Sequence, residues 1–563
     1  MVRRRAFGRE EVASVIVSTH ALRPFLHFHT RTCANIATRN SKATPFTPQF
    51  RQIVKEHCKS GVVGSIDDAI GLFHRMVRMK PSPSIIEFCQ LLSVIVRMKH
   101  FATAVSLINQ MESVGVKRNA YSLNILMNCF CSLDRVDFGF SVLGKMLKLG
   151  LENVVTYQTM INGLCKIGEN NAALELLRKM EERGCVPTVV AYNTIIDSLC
   201  KDRLVSEAFS VFLEMIGKGI APTVVTYTSL IHGYCSSCQW KEVTRLLNEM
   251  IDNKIAPNVY TFNVVVDNLC KEGMVAQAQH VVELMIRRGL KPNTITYNAV
   301  MDGFVLQGQM DMALKVFDVM VGRGCLPTVY SYSILINGFC RSKRIEEAMK
   351  IFEEMSQNRF VPNTVTFNTL IGGLCKVGRS QDAQMLLDKM QAYGQIPDIF
   401  TYTILLNGLF NNKYVEEAMT LFRALENSGL DPDIAVYNIL IFGLCKVGKL
   451  EVAKQTFLNL SAKKIQPNIR TYNIMLNGFC KRGLLSEAND LLKKMEESGC
   501  FPDSFTYNII IRGLLKKNEI LRVEQFLHMM VDQGFSVDAG TMTMLLELQS
   551  VGKLDISFFD MAQ

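Results

Sequence analysis

The sequence predicts an all-α fold, a right-handed superhelical solenoid of stacked helix-turn-helix repeats. From Val154 to Asp538 the chain consists of eleven consecutive units of one 35-residue pattern, with no insertion or deletion. Each unit contains two amphipathic stretches and closes with turn-forming residues at fixed positions. An internal period of this length indicates a solenoid, because each unit can bury its apolar face only against its neighbours.

The apolar spacing predicts two helices in every unit. Position 1 of the units is Val154, Val189 and so on at intervals of 35 residues to Ser504. An aromatic residue at position 4, aliphatic residues at 7 and 8 and cysteine at 12 share one helical face, which predicts a helix over positions 2 to 13. Alanine at 20, a bulky apolar residue at 24 and methionine at 27 predict a second helix over positions 17 to 30. Glycine at 31, as in Gly184, and proline at 34, as in Pro187, end it.

The same register extends beyond the eleven units and gives the expected domain boundaries. Residues 85–119 and 120–153 fit as two further repeats, so we expect thirteen repeats over 85–538. Residues 50–84 keep few of the repeat positions, as expected of a degenerate N-terminal capping repeat. We expect a partial C-terminal repeat or tail over 539–563.

Positive charge is concentrated at the N-terminus. The net charge is +10, of which +6 belongs to residues 1–49, where eight arginines and lysines outnumber Glu10 and Glu11. An Arg-rich, Ser/Thr-rich and acid-poor leader is typical of an organellar transit peptide. The alternative is a basic arm that stays attached and contacts RNA. No uncharged apolar run is long enough to predict a membrane span.

The seventeen cysteines follow the repeat and do not predict a disulfide framework. Nine occupy position 12, which indicates small buried side chains in a reducing compartment. Cys235 and Cys238 form the only C-x-x-C pair, and a zinc site normally needs a second pair of ligands. We therefore predict neither a metal site nor a cofactor.

The repeat carries a family resemblance. The run from Val365 to Lys376, Val-Thr-Phe-Asn-Thr-Leu-Ile-Gly-Gly-Leu-Cys-Lys, resembles the pentatricopeptide repeat (PPR). It is similar in particular to the plant restorer-of-fertility-like group, which is built only of 35-residue units. The tetratricopeptide repeat has 34 residues and a Trp-containing pattern, whereas this chain has the single tryptophan Trp240.

The resemblance implies binding of single-stranded organellar RNA, with one nucleotide for each repeat. It also implies that the side chains at positions 5 and 35 read the base edge and that position 2 side chains sandwich the base. The twelve pairs at positions 5 and 35 are Asn124 with Asn153, Gln158 with Thr188, Asn193 with Thr223, Thr228 with Asn258, Asn263 with Asn293, Asn298 with Thr328, Ser333 with Asn363, Asn368 with Asp398, Thr403 with Asp433, Asn438 with Asn468, Asn473 with Asp503, and Asn508 with Asp538. The family's code then gives roughly Y-N-Y-A-Y-Y-A-U-G-Y-U-U, where Y is a pyrimidine.

Ordinary helix capping is the alternative explanation for part of this pattern. Asp, Asn and Thr before a helix are common N-caps, so capping alone explains position 35. It does not explain position 5, which lies inside the first helix. All twelve units hold Asn, Gln, Thr or Ser at this position, and eleven of them hold Asn or a hydroxyl residue instead of a good helix former.

Position 13 supplies a basic row. Its members are Lys166, Lys201, Lys271, Arg341, Lys376, Lys446, Lys481 and Lys516. Stacked units would align these charges so that they track RNA phosphates. Complementation of the dipole at the end of each first helix is the other explanation, and both can hold together.

Enzymatic function is not expected. Editing relatives carry a zinc deaminase with an H-x-E signature, and this sequence has none. The sequence predicts a monomeric RNA-binding protein that acts in transcript processing, stability or translation control, as a fertility-restorer-like factor would. The mitochondrion is the expected compartment, with the plastid as alternative. A protein-binding helical scaffold, or a complex in which a partner nuclease cleaves the RNA, are the other functions that the sequence allows.

Overall fold

The computed structural model describes residues 65–79 and 83–550, and every regular element in these two stretches is an α-helix. In chain order the helices are α1 (Ile66–Arg78), α2 (Ile85–Arg97), α3 (Phe101–Ser113), α4 (Ala120–Ser132), α5 (Val136–Leu149), α6 (Val154–Lys166), α7 (Asn170–Glu182), α8 (Val189–Lys201), α9 (Val205–Gly217), α10 (Val224–Ser236), α11 (Trp240–Asp252), α12 (Val259–Lys271), α13 (Val275–Arg287), α14 (Thr294–Leu306), α15 (Met310–Gly322), α16 (Val329–Arg341), α17 (Ile345–Gln357), α18 (Thr364–Lys376), α19 (Ser380–Ala392), α20 (Ile399–Asn411), α21 (Val415–Asn427), α22 (Ile434–Lys446), α23 (Leu450–Ala462), α24 (Ile469–Arg482), α25 (Leu485–Glu497), α26 (Ser504–Lys516), α27 (Ile520–Asp532) and α28 (Ala539–Ser550). The all-α prediction is confirmed.

The helix bounds follow the 35-residue register closely. The first helix begins at position 1, one residue earlier than expected, because position 35 of the preceding repeat is an N-cap with extended backbone, as at Asn153 (φ −151°, ψ 178°). The second helix ends at position 29 in α7, and the amide of Cys185 then bonds to the carbonyl of Met180 at 3.0 Å. Between them Gly184 adopts φ +76°, the left-handed conformation that position 31 was expected to need.

The turn between the two helices of a repeat was not anticipated from the sequence. Position 15 also adopts a positive φ, and it is often not glycine, as at Lys343 (φ 59°) and Lys413 (φ 67°). Left-handed backbone costs a non-glycine residue roughly 1–2 kcal/mol. The hairpin geometry is therefore imposed by packing of the two helices and not by the preference of the turn residue.

The chain separates into two compact units. Of the described residues, one unit contains those up to Leu269 together with Val281–Lys291, and the other contains Cys270–His280 together with those from Pro292 onward. Within each unit the first helix of a repeat packs against the first helix of the next repeat and against its own second helix. We call the contact between consecutive first helices the seam.

The predicted core is confirmed. The aromatic residue at position 4 is buried in all eleven 35-residue repeats, and the nine methionines at position 27 are fully buried. The aromatic residue at position 24 meets position 4 of the next repeat edge to face, as in Phe352 with Phe367 (ring centroids 5.4 Å apart) and Phe422 with Tyr437 (5.4 Å). The two apolar stripes therefore hold neighbouring repeats together.

Glycine at position 10 lets consecutive first helices approach closely. A Cβ atom added at Gly373 would lie 2.6 Å from Cys340 Sγ, and one added at Gly408 would lie 2.2 Å from Cys375 Sγ. Both cysteines occupy position 12 of the preceding repeat and are buried, as predicted. Burial raises the pKa of the Cys375 thiol to about 12, so it stays protonated at neutral pH.

The flanking predictions are covered only in part. The transit peptide or basic arm predicted over 1–49 lies outside the described residues. Helix α1 belongs to the stretch 50–84 and buries Ala69 and Met76, and α28 belongs to 539–563. No helix among the described residues combines the length and the apolar character needed to cross a bilayer.

Candidate nucleic-acid interface

Position 2 of the first helix carries an exposed apolar side chain in most repeats. Eleven of these side chains are 54–65% exposed, in contrast to the buried position 4 two residues later. They are Ile86, Tyr121, Val155, Val190, Val225, Tyr260, Ile295, Tyr330, Val365, Phe400 and Phe505. Large apolar residues at one regular surface position are a feature of binding sites rather than of ordinary surface.

Position 35 caps the first helix of the next repeat, as the capping explanation requires. Asp398 is exposed and accepts hydrogen bonds from the Thr401 amide and hydroxyl, each at 2.8 Å. Ten members of the position accept from the amide three residues later in this way: Asn153, Asn258, Asn293, Thr328, Asn363, Asp398, Asp433, Asn468, Asp503 and Asp538. Both bonds to Asp398 end on Oδ1, so its Oδ2 can still accept a bond from a ligand.

Two of the aspartate caps, Asp503 and Asp538, have a lowered pKa. Burial raises the pKa of Asp503, but the amide and hydroxyl of Thr506 and the amide group of Asn473 more than offset this, and the net pKa is lowered. Burial likewise raises the pKa of Asp538, but the hydrogen bond from the Thr541 amide and the charge of Arg512 give a net lowering. At neutral pH these positions therefore present carboxylates, which only accept hydrogen bonds.

Position 5 lies deeper than position 35. Eight members are buried, namely Asn124, Thr228, Asn263, Asn298, Asn368, Asn438, Asn473 and Asn508. Gln158, Asn193, Ser333 and Thr403 are half-buried. The sequence did not foresee this burial, because the next repeat, and not the helix itself, covers the side chain.

The two predicted reading positions come together in part of the chain. Asn473 Nδ2 lies 3.3 Å from Asp503 Oδ1, and Asn193 Nδ2 lies 3.4 Å from Thr223 Oγ1. Gln158 donates to Thr188, and the amide of Asp538 donates to Asn508 Oδ1 at 3.0 Å. The hydroxyl-bearing members behave differently. Thr228, Ser333 and Thr403 donate to the carbonyl four residues earlier at 2.7–2.8 Å.

Position 3 is a third polar position that the sequence reasoning missed. Its threonine or serine is fully buried in eleven places: Ser122, Thr156, Thr226, Thr261, Thr296, Ser331, Thr366, Thr401, Thr471, Thr506 and Thr541. In several repeats the hydroxyl reaches back to position 5 of the preceding repeat, as in Thr506 Oγ1 to Asn473 Oδ1 at 2.7 Å. Recurrence of a hydroxyl residue on a helical face that is otherwise apolar was the signal that could have revealed it.

The basic row at position 13 is exposed throughout. All eight predicted members are exposed and end, or nearly end, a first helix, which fits both the phosphate and the dipole explanation. Lys446 Nζ donates to Oδ1 of Asn411, the position 13 residue of the preceding repeat, at 2.8 Å. Side chains at this position in consecutive repeats are thus within reach of one another. Lys201 forms an ion pair with Asp197 (2.6 Å), which raises the pKa of Lys201.

The C-x-x-C pair does not form part of a metal cluster. No group of three or more His, Cys, Asp or Glu side chains in the described stretches is arranged to hold a metal ion. Cys235 is buried with its pKa raised to about 12, whereas Cys238 is exposed on a left-handed turn.

Comparison with known protein families decides the family. A sequence profile of the PPR repeat family matches residues 152–190, 187–236, 222–271, 262–305, 292–341, 335–376, 362–411, 397–446, 432–481, 467–516 and 502–548, and a PPR repeat profile matches 121–151. The chain belongs to the PPR repeat family.

Several pentatricopeptide repeat proteins of Arabidopsis thaliana are similar to this PPR protein over short stretches. A putative mitochondrial member is 41% identical over 125 residues, which are 22% of this chain and 21% of that protein. A second mitochondrial member is 40% identical over 99 residues, 17% and 16% of the two chains. The chain thus spans about a fifth of the length of the relatives it matches.

Solved structures of the maize pentatricopeptide repeat protein PPR10 also match. One is 22% identical and covers 90% of this chain and 82% of its own, with a TM-score of 0.48. Another, in complex with an 18-nucleotide psaJ RNA element, is 22% identical and covers 87% and 80%, with a TM-score of 0.45.

Proposed function

We propose that this PPR protein binds single-stranded organellar RNA sequence-specifically, with one nucleotide for each repeat. The observation that carries the proposal is that, in most repeats, an exposed apolar residue at position 2 of the first helix occurs together with a polar pair at positions 5 and 35. An exposed apolar or aromatic side chain offers a stacking surface for any base. Polar groups beside it can then distinguish one base edge from another.

The chemistry at position 35 suggests how bases are sorted. A carboxylate accepts but does not donate, so Asp398, Asp433 and Asp503 favour bases with a ring N–H on the Watson–Crick edge, which are uracil and guanine. Asparagine or threonine at position 35 can also donate, and therefore suits cytosine or adenine. The target assigned from the sequence, roughly Y-N-Y-A-Y-Y-A-U-G-Y-U-U, agrees with this rule in the four repeats that end in aspartate.

The basic row at position 13 would supply affinity without sequence preference. Exposed ammonium and guanidinium groups displace counterions from RNA phosphates whatever the base. Lys376, Lys446 and Lys481 belong to repeats of one compact unit and are exposed. They are the members we expect to contribute most clearly.

The biological role that follows is occupancy of a site on a transcript. Such binding blocks exonucleases or ribosomes, or marks the transcript for cleavage by a partner nuclease, and it requires no catalytic group in this chain. The mitochondrial names of its relatives and the Arg-rich residues 1–49 favour a mitochondrial, fertility-restorer-like factor. The plastid is the alternative compartment.

A protein-binding scaffold is the second candidate, and one observation favours it. Leu326, Val361 and Ile396, at position 33 of three consecutive repeats, are 80%, 58% and 83% exposed. Apolar residues so exposed could contact a partner protein. These residues are not members of the polar pairs, so both functions can coexist.

Selection from a randomised RNA library tests the proposal directly. The full chain should enrich one sequence that resembles the assigned target, and binding to that RNA should weaken with a single substitution at a decoded nucleotide. Equal affinity for the selected RNA and for a shuffled RNA of the same composition would overturn it. RNA footprints that co-purify with the protein from mitochondria would then identify the transcript.

A further inference from the structure

We propose that the buried hydroxyl at position 3 of a repeat is a positioning residue for base reading by the preceding repeat. The inference rests on the RNA-binding function proposed above. In this view the hydroxyl holds the oxygen of the position 5 amide, so that the amide N–H₂ group is presented toward position 35. It contributes to base preference without contacting RNA.

The repeat over 469–503 has the complete arrangement. Thr506 Oγ1 lies 2.7 Å from Asn473 Oδ1 and 2.8 Å from Asp503 Oδ1. Asn473 Nδ2 in turn lies 3.3 Å from Asp503 Oδ1. Since the Asp503 carboxylate only accepts, it faces the N–H₂ end of the Asn473 amide, and the amide oxygen is left to accept from the Thr506 hydroxyl.

The same arrangement occurs in the other compact unit. Thr226 Oγ1 donates to Asn193 Oδ1 at 2.6 Å, and Asn193 Nδ2 lies 3.4 Å from Thr223 Oγ1. Thr226 is fully buried, as is Thr506, so neither hydroxyl can contact a ligand itself. Its influence on a bound base must therefore pass through position 5.

The sequence supports the coupling of these two positions. Each of the eight asparagines at position 5 is followed, in the next repeat, by threonine or serine at position 3. The two repeats with an apolar residue there, Ala191 and Val436, follow the non-asparagine residues Gln158 and Thr403. Gln158 reaches Thr188 directly, and Thr403 donates to the carbonyl of its own helix, so neither relies on a position 3 hydroxyl.

Helix capping does not account for this coupling. Asp433 accepts from the amides of Ala435 (3.0 Å) and Val436 (3.1 Å), and the helix begins at its usual position although Val436 has no hydroxyl. The side-chain cap therefore forms without the hydroxyl. Where the hydroxyl is present it accepts a capping-box bond from the backbone amide of position 35, as Thr506 does from Asp503 at 3.2 Å, and it adds the bond to the amide at position 5.

In some repeats the amide oxygen at position 5 has no hydrogen-bond partner. In the repeat over 364–398 the Thr401 hydroxyl donates to Asp398, and Asn368 Oδ1 is buried without a hydrogen-bond partner. Asn368, Asp398 and Thr401 are the same three residue types as Asn473, Asp503 and Thr506. The position 3 hydroxyl thus has two competing acceptors. Base preference should be sharper in repeats where the hydroxyl donates to the amide oxygen of position 5.

A substitution at Thr506 tests the proposal. Thr506→Val removes the hydroxyl with little change of shape, and Thr506→Ser keeps it. In the full-length Val variant we expect the preference for uracil at the nucleotide assigned to 469–503 to fall about two- to twelve-fold, which is the equivalent of one net hydrogen bond. The Ser variant should keep the wild-type preference, and ratios at the other nucleotides should not change. Binding to four RNAs that differ at that nucleotide gives the ratios.

A reciprocal pair guards against a variant that fails to fold. Thr403→Asn alone should select weakly between guanine and uracil at the nucleotide of 399–433, and Thr403→Asn with Val436→Thr should select uracil clearly. An unchanged preference in Thr506→Val with native circular dichroism, or equal preference with and without Val436→Thr, overturns the inference while RNA binding stands. If the wild-type chain ranks no base at any repeat, the proposed function itself fails and the inference falls with it.

Discussion

We call positions 2, 13 and 35 the outer edge of the first helix. The seam and the outer edge differ in how much the residue types at their positions vary among the repeats. Position 10 at the seam is glycine in nine of the eleven 35-residue repeats, because a side chain of the preceding repeat, usually its position 12 cysteine, occupies the space that a Cβ atom would need. Position 2 at the outer edge holds six residue types, from Val155 to Arg470. Packing therefore restricts one side, and the other is free to carry differences in ligand preference.

The largest effect should follow from filling the seam. Gly373→Ala places a Cβ atom 2.6 Å from Cys340 Sγ and 3.0 Å from Ile345 Cδ1. We expect a decrease of about 1–3 kcal/mol in the free energy of unfolding, the usual cost of overpacking. Gly372→Ala is the matched control, because its Cβ would lie 3.5 Å from Ile404 Cγ2, an ordinary contact. The control should gain up to about 1 kcal/mol from helix propensity. Denaturant unfolding of both proteins measures the difference, and equal stabilities would contradict the packing argument.

Base reading should respond to position 5 alone. Asn368 with Asp398 should select uracil, whereas Thr403 with Asp433 should select guanine, and the pairs differ only at position 5. Asn368→Thr should move the preference at one nucleotide from uracil toward guanine by about five- to 150-fold, which corresponds to 1–3 kcal/mol for a base contact. Stability should change little, since the two residues have similar helix propensity.

Binding of that variant to four RNAs that differ at the single nucleotide provides the measurement. An unaltered ranking would mean that position 5 is structural. A loss of affinity equal for all four bases would mean that it holds the RNA backbone without reading sequence.

Stacking should depend on position 2. Phe400 is 62% exposed, and its removal in Phe400→Ala should cost about 1–3 kcal/mol of RNA binding, the range for removal of one aromatic stacking surface. Leu458→Ala on the second helix, where the side chain is 51% exposed, is the control and should leave RNA affinity unchanged. Fluorescence anisotropy with the selected RNA measures both. The prediction is wrong if the two variants bind alike.

The smallest effect should come from the basic row. Changing Lys376, Lys446 and Lys481 together to Ala should weaken the binding of all RNAs about equally. It should also flatten the slope of log K against log salt, by up to about 0.7 for each RNA phosphate that is no longer neutralised. The exposed second-helix lysines Lys350, Lys389 and Lys493 give a control with the same reduction of charge. Equal slopes for the two triple variants would leave only the helix-end explanation.

Much of this architecture could be predicted because the same residue pattern recurs in every repeat. Periodic burial of Tyr472 and Met495 follows from spacing within one helix, and the end of the second helix at Gly499 follows from one residue type. The depth of Asn473 could not be foreseen, since it depends on the helix of the following repeat. The left-handed backbone conformation of Lys413 could not be predicted either, because the packing of two helices imposes it against the intrinsic backbone preference of lysine.

The buried thiols of the seam have a chemical consequence for the lifetime of the protein. Peroxides, nitrosating agents and disulfides attack the thiolate, and at a pKa of about 12 the thiolate fraction of Cys200 or Cys340 at pH 8 is about one in ten thousand. Oxidative damage to a cysteine depends on thiolate character and access to solvent, and these residues have neither. The buried cysteines of the seam are thus expected to be far less sensitive to oxidants than exposed cysteines.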